Sequence, residues 1–171
     1  LNINFTAFTI AFWINIPSTI NRQHFAFGTF NNWTGNGMGA WRDKSEQTGY
    51  SCIMKSKEES SYGSFALNII PHNTWTHIAY VYNGTEIKTY KNGSLVETKT
   101  YGKNGVCYMP NLYLGNSMFG NLTIENDECS MSDFRLYATA LSDQDILELY
   151  NTPVSLTNTG TLMTQGEFIE K

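Results

Sequence analysis

The segment from Trp75 to Tyr101, WTHIAYVYNGTEIKTYKNGSLVETKTY, consists of three short strand-like runs rich in apolar, aromatic and β-branched residues. Asn83-Gly84 and Asn92-Gly93 separate these runs. Asn-Gly is the preferred pair for a type I′ turn, because both central residues need positive φ and the twist of that turn matches the flanking strands. The pattern therefore predicts a meander of three antiparallel strands within a larger antiparallel sheet.

The run from Phe8 to Ile16, FTIAFWINI, is apolar on both faces. Alternate residues from Phe8 onwards line one face, and Ala11 and Trp13 add apolar surface to the other, which is typical of a central strand covered on both sides. Further short strands are predicted at Phe25–Phe30, Gly39–Arg42, Tyr50–Lys55, Phe65–Ile70, Leu112–Gly115, Leu122–Glu125 and Ser132–Tyr137. Short strands at a spacing of roughly 8 to 12 residues indicate an all-β sandwich or barrel.

One helix is predicted, and it begins after Leu141. Ser142 is a favourable N-cap, and aspartates in the first turn complement the helix dipole. Thr152-Pro153 ends the helix. Its apolar stripe is formed by Ile146, Leu149 and Tyr150. We expect this stripe to seal one end of the sandwich, with a domain over residues 1–152 and an extended tail or linker over residues 153–171.

Length and charge narrow the function classes. A chain of 171 residues is long enough for one well-cored domain. The net charge is −4 and the 11 Lys and Arg residues are scattered, whereas a nucleic-acid-binding surface normally shows a clustered basic patch. No apolar run approaches the ~20 residues that span a bilayer, so neither nucleic-acid binding nor membrane insertion is expected. Because the chain begins at Leu1 without a visible signal peptide, we expect a piece of a longer polypeptide.

The three cysteines indicate no zinc site. Cys52, Cys107 and Cys129 form an odd number without CxxC spacing. Buried thiols are the commoner arrangement for such residues. One disulfide, between Cys107 and Cys129, stays an alternative that the sequence leaves open.

Three segments, in this order, resemble a laminin-G-like domain of the concanavalin A-like jelly-roll superfamily. They are FTIAFWINI, WTHIAYVYNGTEIKTYKNGSLV and MSDFRLYATALSDQDILELY. The resemblance spans most of Phe8–Tyr150 and implies two curved antiparallel sheets packed face to face, with Trp13 and Trp75 at core positions. Ile87 and Tyr90 differ in parity along one strand, so that strand must be bulged or covered on both faces.

The resemblance implies recognition of glycans or of other extracellular ligands. Glycan sites present aromatic rings to the apolar faces of sugars, beside amide and carboxylate groups that bond to the hydroxyls. We expect this site between residues 31 and 62, where a tryptophan stands among asparagines. The predicted ligand-binding residues are Asn32, Trp33, Asn36, Trp41, Arg42 and Tyr62. The alternatives are a Trp33 ring folded over the sandwich edge and a Trp41 ring in the core or on a sheet face.

Calcium is the second property that the resemblance implies. A hard cation takes several oxygen ligands from adjacent loops, and Glu125–Glu128 is a dense acidic segment. The resemblance places one structural calcium at the sheet edge near Asp133, which is therefore a predicted ligand together with Asp127 and Glu128. A solvated acidic loop without metal is the alternative.

Catalysis is not expected. Retaining glucanases on this fold need two carboxylates about 5 Å apart, and Glu125 and Asp127 have a suitable i, i+2 spacing. The third position of the family's Glu-x-Asp-x-Glu pattern falls on Cys129, however. The three histidines have no Ser or Cys partner in a recognisable nucleophile motif.

These observations predict a non-catalytic module that binds a glycan or a cell-surface receptor, at the surface of a virion or in the extracellular space. The tail sequence SLTNTGTLMTQGEFIEK is similar to modules of bacteriophage or prophage tail and virion proteins, which indicates neighbouring modules in the same polypeptide. A virion decoration or assembly module that contacts protein subunits without binding sugar is the alternative from another class. A glycoside hydrolase is the third, and homo-oligomerisation stays open.

Overall fold

The computed structural model describes residues 3–18, 24–29, 37–42, 50–55, 63–67, 70–100, 107–109, 112–114 and 129–154. These residues form twelve β-strands and one α-helix. The strands are β1 (Ile3–Phe5), β2 (Phe8–Asn15), β3 (His24–Gly28), β4 (Gly37–Arg42), β5 (Tyr50–Lys55), β6 (Gly63–Leu67), β7 (Thr76–Tyr82), β8 (Glu86–Lys91), β9 (Ser94–Thr100), β10 (Cys107–Met109), β11 (Tyr113–Leu114) and β12 (Ser130–Tyr137). The helix is α1 (Asp143–Asn151).

Ten strands form two five-stranded sheets. Sheet I has the strand order β12-β2-β7-β8-β9, and sheet II has the order β11-β3-β4-β5-β6. The remaining strands, β1 and β10, pair with each other. Each of the described strand pairs is antiparallel. This architecture confirms the predicted all-β, two-sheet jelly-roll sandwich with one short C-terminal helix.

The main core lies between the two sheets and is lined by one face of β2. Phe8, Ile10, Phe12 and Ile14 are at most 1% exposed, as their alternation predicts. Phe12 meets Phe27 of sheet II edge-on, with ring centroids 5.7 Å apart. Because β2 pairs with β12 on one side and β7 on the other, its predicted central position is confirmed.

The helix packs on the outer face of sheet I, so the prediction that it seals one end of the sandwich is wrong. The residues in contact are Ile146 of α1 with Ala11, Ala79, Val81 and Tyr90 of the sheet. The connection from β12 explains the placement. The Thr9 hydroxyl donates to the carbonyl of Thr139 (2.8 Å) and accepts from the N–H of Leu141 (3.0 Å). These two bonds turn the chain over β2 and onto the sheet face.

The ends of α1 are those that the sequence predicts. The Ser142 hydroxyl accepts from the N–H of Asp145 (3.2 Å), and the Asp145 carboxylate accepts from the N–H of Ser142 (2.8 Å), which is a capping box. At the other end the N–H of Thr152 donates to the carbonyl of Glu148 (2.9 Å), and Pro153 follows. Among the described residues, no helix has the length and apolarity needed to cross a membrane.

The two Asn-Gly turns differ from each other. At Asn92-Gly93 the φ values are 49° and 76°, so the predicted type I′ geometry is confirmed. At Asn83-Gly84 only the glycine has positive φ, 99°, so the type I′ prediction is wrong there. The Asn83 side chain instead accepts from the N–H groups of Thr85 (3.0 Å) and Glu86 (2.8 Å), which stabilises a longer connection.

The strand β8 is covered on both faces. Its apolar residues Ile87 and Tyr90 are three positions apart, so they point to opposite sides of the sheet. Ile87 lies in the core between the sheets, and Tyr90 lies in the cluster under α1. The bulge belongs to the neighbouring strand, because Thr89 pairs with Glu97 while Tyr90 pairs with Leu95. Of the two predicted alternatives, coverage on both faces is therefore the one that holds for β8.

Two short strands, β1 and β10, were not predicted, because three residues are too few to show a period. The predicted strand Leu122–Glu125 lies outside the described residues. Cys129 is half-buried against the core between the sheets. Because the side chains of Cys52 and Cys107 are not among those described, the alternative Cys107–Cys129 disulfide stays a prediction.

Candidate functional site

An exposed tryptophan stands at one end of sheet I. Trp75 ends the loop Pro71–Trp75, called the PHNTW loop below, immediately before β7. The residue is 44% exposed, so the prediction that it lies in the core is wrong. Pro, Asn and Thr immediately before it are turn formers, and this signal would have placed the tryptophan outside the strand.

Hydrogen bonds hold the PHNTW loop to the end of β2. The N–H of Asn73 donates to the carbonyl of Ile16 (2.8 Å), and the N–H of Ser18 donates to Oδ1 of Asn73 (3.3 Å). Nδ1 of His72 lies 3.2 Å from the carbonyl oxygen of Pro17. Asn73 has a φ of 56°, which Asn adopts more readily than most residues. An anchored backbone therefore presents the indole.

The two segments next to the PHNTW loop contain no ionic residue. Ile16–Ser18 follows β2, and the turn Asn92-Gly93 joins β8 to β9 at the same end of sheet I. Oδ1 of Asn92 accepts from the N–H of His77 (2.9 Å), which ties this turn to the start of β7. Neither segment, nor the loop itself, contains Lys, Arg, Asp or Glu.

A buried aromatic cluster lies beside this end, between the outer face of sheet I and α1. His77 is 2% exposed, and its ring centroid lies 5.4 Å from that of Trp13 and 6.0 Å from that of Tyr150. The rings of Trp13 and Tyr150 stack at 5.5 Å. Within the described part of the chain, Nδ1 of His77 and Nε1 of Trp13 are buried without a hydrogen-bond partner.

Asp133 and Arg135 form a bidentate ion pair on β12. The guanidinium donates from Nε to Oδ1 and from Nη2 to Oδ2, both at 2.6 Å. The N–H of Val154 also donates to Oδ2 (3.0 Å), and Arg135 Nη2 donates to the carbonyl of Thr152 (3.3 Å). The pair therefore holds the chain that leaves α1 against sheet I.

A bulge in β12 makes this pair possible. Ser132 pairs with Trp13 and Arg135 pairs with Ala11, so β12 has one residue more than β2 over this stretch. The φ of Asp133 is 50°, in the left-handed region that Asp tolerates. Without the extra residue, alternation would turn Asp133 toward the core between the sheets.

The charges of the pair and of the histidine influence each other. Burial lowers the pKa of His77 to about 4; the Asp133 carboxylate opposes this shift and Arg135 adds to it. Burial alone would raise the pKa of Asp133, but hydrogen bonds from Arg135 and the Val154 N–H, with the charges of Arg135 and His77, hold it below its ordinary value. At neutral pH the site therefore contains a neutral imidazole beside a paired carboxylate.

Of the predicted glycan-binding residues, only Trp41 and Arg42 belong to described strands. Their backbones pair with Phe25 and His24 of β3, and their side chains are not among those described. The others, Asn32, Trp33, Asn36 and Tyr62, lie outside the described residues.

Sheet topology divides these six residues into two groups. The β3–β4 and β5–β6 connections both join sheet II at the end that contains Gly37, because Gly37 pairs with Lys55 at the end of β5. By sequence, Trp33 belongs to the first connection and Tyr62 to the second. Trp41–Arg42 ends β4 at the opposite end, roughly 16 Å away at 3.3 Å per residue.

The described contacts of Asp133 do not fit a calcium ligand. Both carboxylate oxygens accept from Arg135, whose positive charge opposes a cation at the same place. In the residues that the structure describes, no group of three or more His, Cys, Asp or Glu side chains suits a metal. Asp127 and Glu128 lie outside them, so the calcium prediction now depends on these two.

Comparisons with known proteins agree with this architecture. The Laminin_G_3 family model, described as the concanavalin A-like lectin/glucanases superfamily, matches residues 1–147. No protein of curated function matches the sequence.

Similar solved structures include binding domains of botulinum neurotoxins. The receptor binding domain of mosaic serotype C/D is 18% identical with a TM-score of 0.68, and the match covers 86% of this chain and 36% of that one. The serotype D ligand binding domain, solved in complex with N-acetylneuraminic acid, is 15% identical with a TM-score of 0.68, covering 88% and 38%. This chain thus spans little more than a third of those domains, and the likeness concerns the fold. With the family match over most of its length, the chain belongs to the concanavalin A-like lectin/glucanase superfamily as a laminin-G-like domain.

Proposed function

We propose that this chain is a non-catalytic module that binds a carbohydrate or a glycan-bearing cell-surface receptor. The observation that carries the proposal is the lectin-family sandwich, whose similar solved structures are receptor-binding domains. One of those domains was solved with N-acetylneuraminic acid, which supports a glycan as the ligand class. The module belongs, in this proposal, to a larger extracellular or virion protein, with residues 153–171 leading to a neighbouring module.

Two of the described aspartates are committed to structural contacts, and the pair considered for hydrolysis, Glu125 and Asp127, lies outside the described residues. Asp133 is paired with Arg135, and Asp143 accepts from Lys88 Nζ (2.8 Å) and from the Tyr90 hydroxyl (2.6 Å). The bonds from Lys88 and then Tyr90 hold the pKa of Asp143 below its ordinary value. A general acid for glycoside cleavage needs a raised pKa, so these carboxylates suit a structural role.

The proposed glycan site lies on the connections that join sheet II at the Gly37 end. Trp33 supplies the aromatic surface, Asn32 and Asn36 supply amide groups, and Tyr62 approaches from the neighbouring connection. Trp41 and Arg42, at the other end of β4, form the less favoured group.

Replacement of Trp33 is expected to weaken glycan binding roughly tenfold or more, because an aromatic platform at a binding site is typically a hot spot. Wild-type protein, Trp33→Ala, Trp41→Ala and Val96→Ala are compared on a glycan array. Trp41→Ala tests the less favoured group, and Val96→Ala is the control because Val96 is 51% exposed on β9, outside both groups. Unchanged binding by Trp33→Ala would refute this site.

The same experiment distinguishes the other functions. A wild-type protein that binds no glycan would contradict the proposed function and favour a decoration or assembly module. Turnover of a polysaccharide that disappears in Glu125→Gln would identify a hydrolase instead.

Calcium binding is proposed for Asp127 and Glu128. Asp133 is not included as a ligand, because its carboxylate is paired with Arg135. Excess calcium is then expected to raise the melting temperature relative to EGTA, because a ligand bound only by the native state stabilises it. Differential scanning fluorimetry measures the shift, and Asp127→Asn with Glu128→Gln should remove it. A melting temperature that the chelator leaves unchanged would count against the metal.

A further inference from the structure

We infer that the PHNTW loop is a second carbohydrate-contacting surface of this domain, and that it takes an uncharged pyranose. The inference rests on the proposed function and deepens it, because it adds a site on sheet I that is built from described residues. Its central group is the exposed indole of Trp75.

The indole is a large apolar surface on an anchored backbone. Trp75 is 44% exposed, although the residue that follows it, Thr76, is 1% exposed. Three contacts to the segment after β2, through Asn73 and His72, hold the loop. A tryptophan offers a wide flat face at a small cost in side-chain entropy, and an anchored loop loses little further freedom on binding. This combination suits stacking against the apolar face of a sugar ring.

The PHNTW loop and the neighbouring turn Asn92-Gly93 carry polar groups suited to sugar hydroxyls. Asn73 and Asn92 are exposed, and each uses its Oδ1 as an acceptor for a backbone N–H, which orients the amide and directs its two N–H donors elsewhere. The Thr74 hydroxyl donates to the carbonyl of His72 (3.2 Å) and keeps its lone pairs as acceptors. The surface thus offers both donors and acceptors beside one aromatic face.

The absence of ionic residues from these segments decides the class of sugar. The PHNTW loop, Ile16–Ser18 and Asn92–Ser94 contain no Lys or Arg that would pair with a carboxylate or sulfate. Lys91, which directly precedes Asn92, is half-buried and already interacts with another group. An anionic sugar would lose its hydration here without a charged partner. A neutral pyranose is therefore favoured over a sialic acid on this surface.

The test compares wild-type protein, Trp75→Ala, Trp75→Phe and Leu114→Ala on an array of galactose-terminated glycans and their sialylated counterparts. Leu114 is the matched control, because it is 50% exposed but lies on sheet II. We expect Trp75→Ala to lose roughly tenfold or more in affinity for neutral glycans, Trp75→Phe to lose less because it keeps a smaller aromatic face, and Leu114→Ala to stay close to wild type. Circular dichroism and melting curves verify the fold of each variant.

A second measurement uses wild-type protein, so it does not depend on whether a variant folds. Titration of 15N-labelled wild-type protein with the best neutral glycan from the array is expected to shift the indole N–H resonance of Trp75. Loss of binding in Trp33→Ala, with Trp75→Ala unchanged and its resonance unmoved, would overturn this inference and leave the proposed function standing. Binding restricted to sialylated glycans would also overturn it, and the absence of any glycan binding would overturn both.

Discussion

Acidification from neutral pH to about pH 4 is expected to lower the free energy of unfolding by about 3 kcal/mol through His77 alone. In the folded domain burial lowers the pKa of this residue from its ordinary 6.5 to about 4. The unfolded chain therefore takes up a proton near pH 6.5 that the folded domain does not take up until about pH 4. Because the unfolded state binds more protons across this interval, stability is full above it, declines as the pH falls through it, and levels off below it.

The structure explains why the neutral imidazole is favoured. The ring lies beside the stacked rings of Trp13 and Tyr150, and its Nδ1 faces no hydrogen-bond partner among the described groups. The nearby carboxylate of Asp133 is already paired with Arg135, so it compensates little for a charge on the imidazole. Protonation would thus place a poorly compensated charge under the C-terminal half of α1.

Urea denaturation at several pH values between 7 and 4 measures this effect in wild-type protein and in His77→Phe. Phenylalanine keeps an aromatic ring beside Trp13 and Tyr150 but does not titrate. The variant is expected to lose most of the decline between pH 6.5 and 4. An equal decline in both proteins would show that another group is responsible.

Removal of the Asp133 carboxylate is expected to destabilise the domain by about 3 kcal/mol at neutral pH. The side chains of Asp133 and Arg135 are only 8% and 20% exposed, so Asp133→Ala leaves a largely buried guanidinium without its partner. It also removes the acceptor for the N–H of Val154 and places alanine at a φ of 50°. These losses occur where β12 holds the end of α1.

A double-mutant cycle separates the ion pair from the backbone effect. Asp133→Asn keeps a residue that tolerates left-handed φ, and it is expected to cost less than Asp133→Ala. Asp133→Ala combined with Arg135→Met is expected to cost less than the sum of the single variants, because no unpaired charge remains. Additive costs would contradict the pairing.

The stability that Asp133 contributes is lost in a lower pH range than the stability that neutral His77 contributes. Because the folded pKa of Asp133 lies below its ordinary 3.8, its stabilising contribution is present above that value and is lost only as the pH falls through the folded pKa. Unfolding measured below about pH 4 therefore includes the contribution of Asp133, together with those of Asp143 and Asp145, whose pKa values are also lowered by hydrogen bonds. The difference between wild type and Asp133→Asn in this range isolates the part due to Asp133.

The features that the sequence predicted correctly are local ones. The alternation from Phe8 to Ile16 placed β2 at the centre of a sheet, and the pair Asn92-Gly93 predicted a type I′ turn that is present. Ser142 and Pro153 bounded the helix correctly. A two-residue period, a turn that needs positive φ and a helix cap each depend on neighbouring residues, so the chain itself carries the whole signal.

The candidate sites depend instead on contacts between residues that are far apart in the sequence. The exposure of Trp75 depends on how its loop is tied to Ile16, which lies far away in sequence. The resemblance to the family implied a core position for Trp75, although the turn-forming residues before it indicate an exposed loop. The sequence predicted aromatic residues for glycan binding, but it could not show that Trp41 lies at the end of β4 opposite to the end that the connection from β3 joins.

By itself, then, the sequence determined the all-β class, the central strand, one of the two tight turns and the helix. Only the tertiary structure decided that α1 covers a sheet face, that a bulge turns Asp133 toward Arg135, and that His77 meets Trp13 and Tyr150. These contacts join residues far apart in the chain, and their energies depend on burial and on partner charges. Burial and the positions of partner charges are set only when the sheets pair and pack, so a local sequence pattern could not predict these contacts.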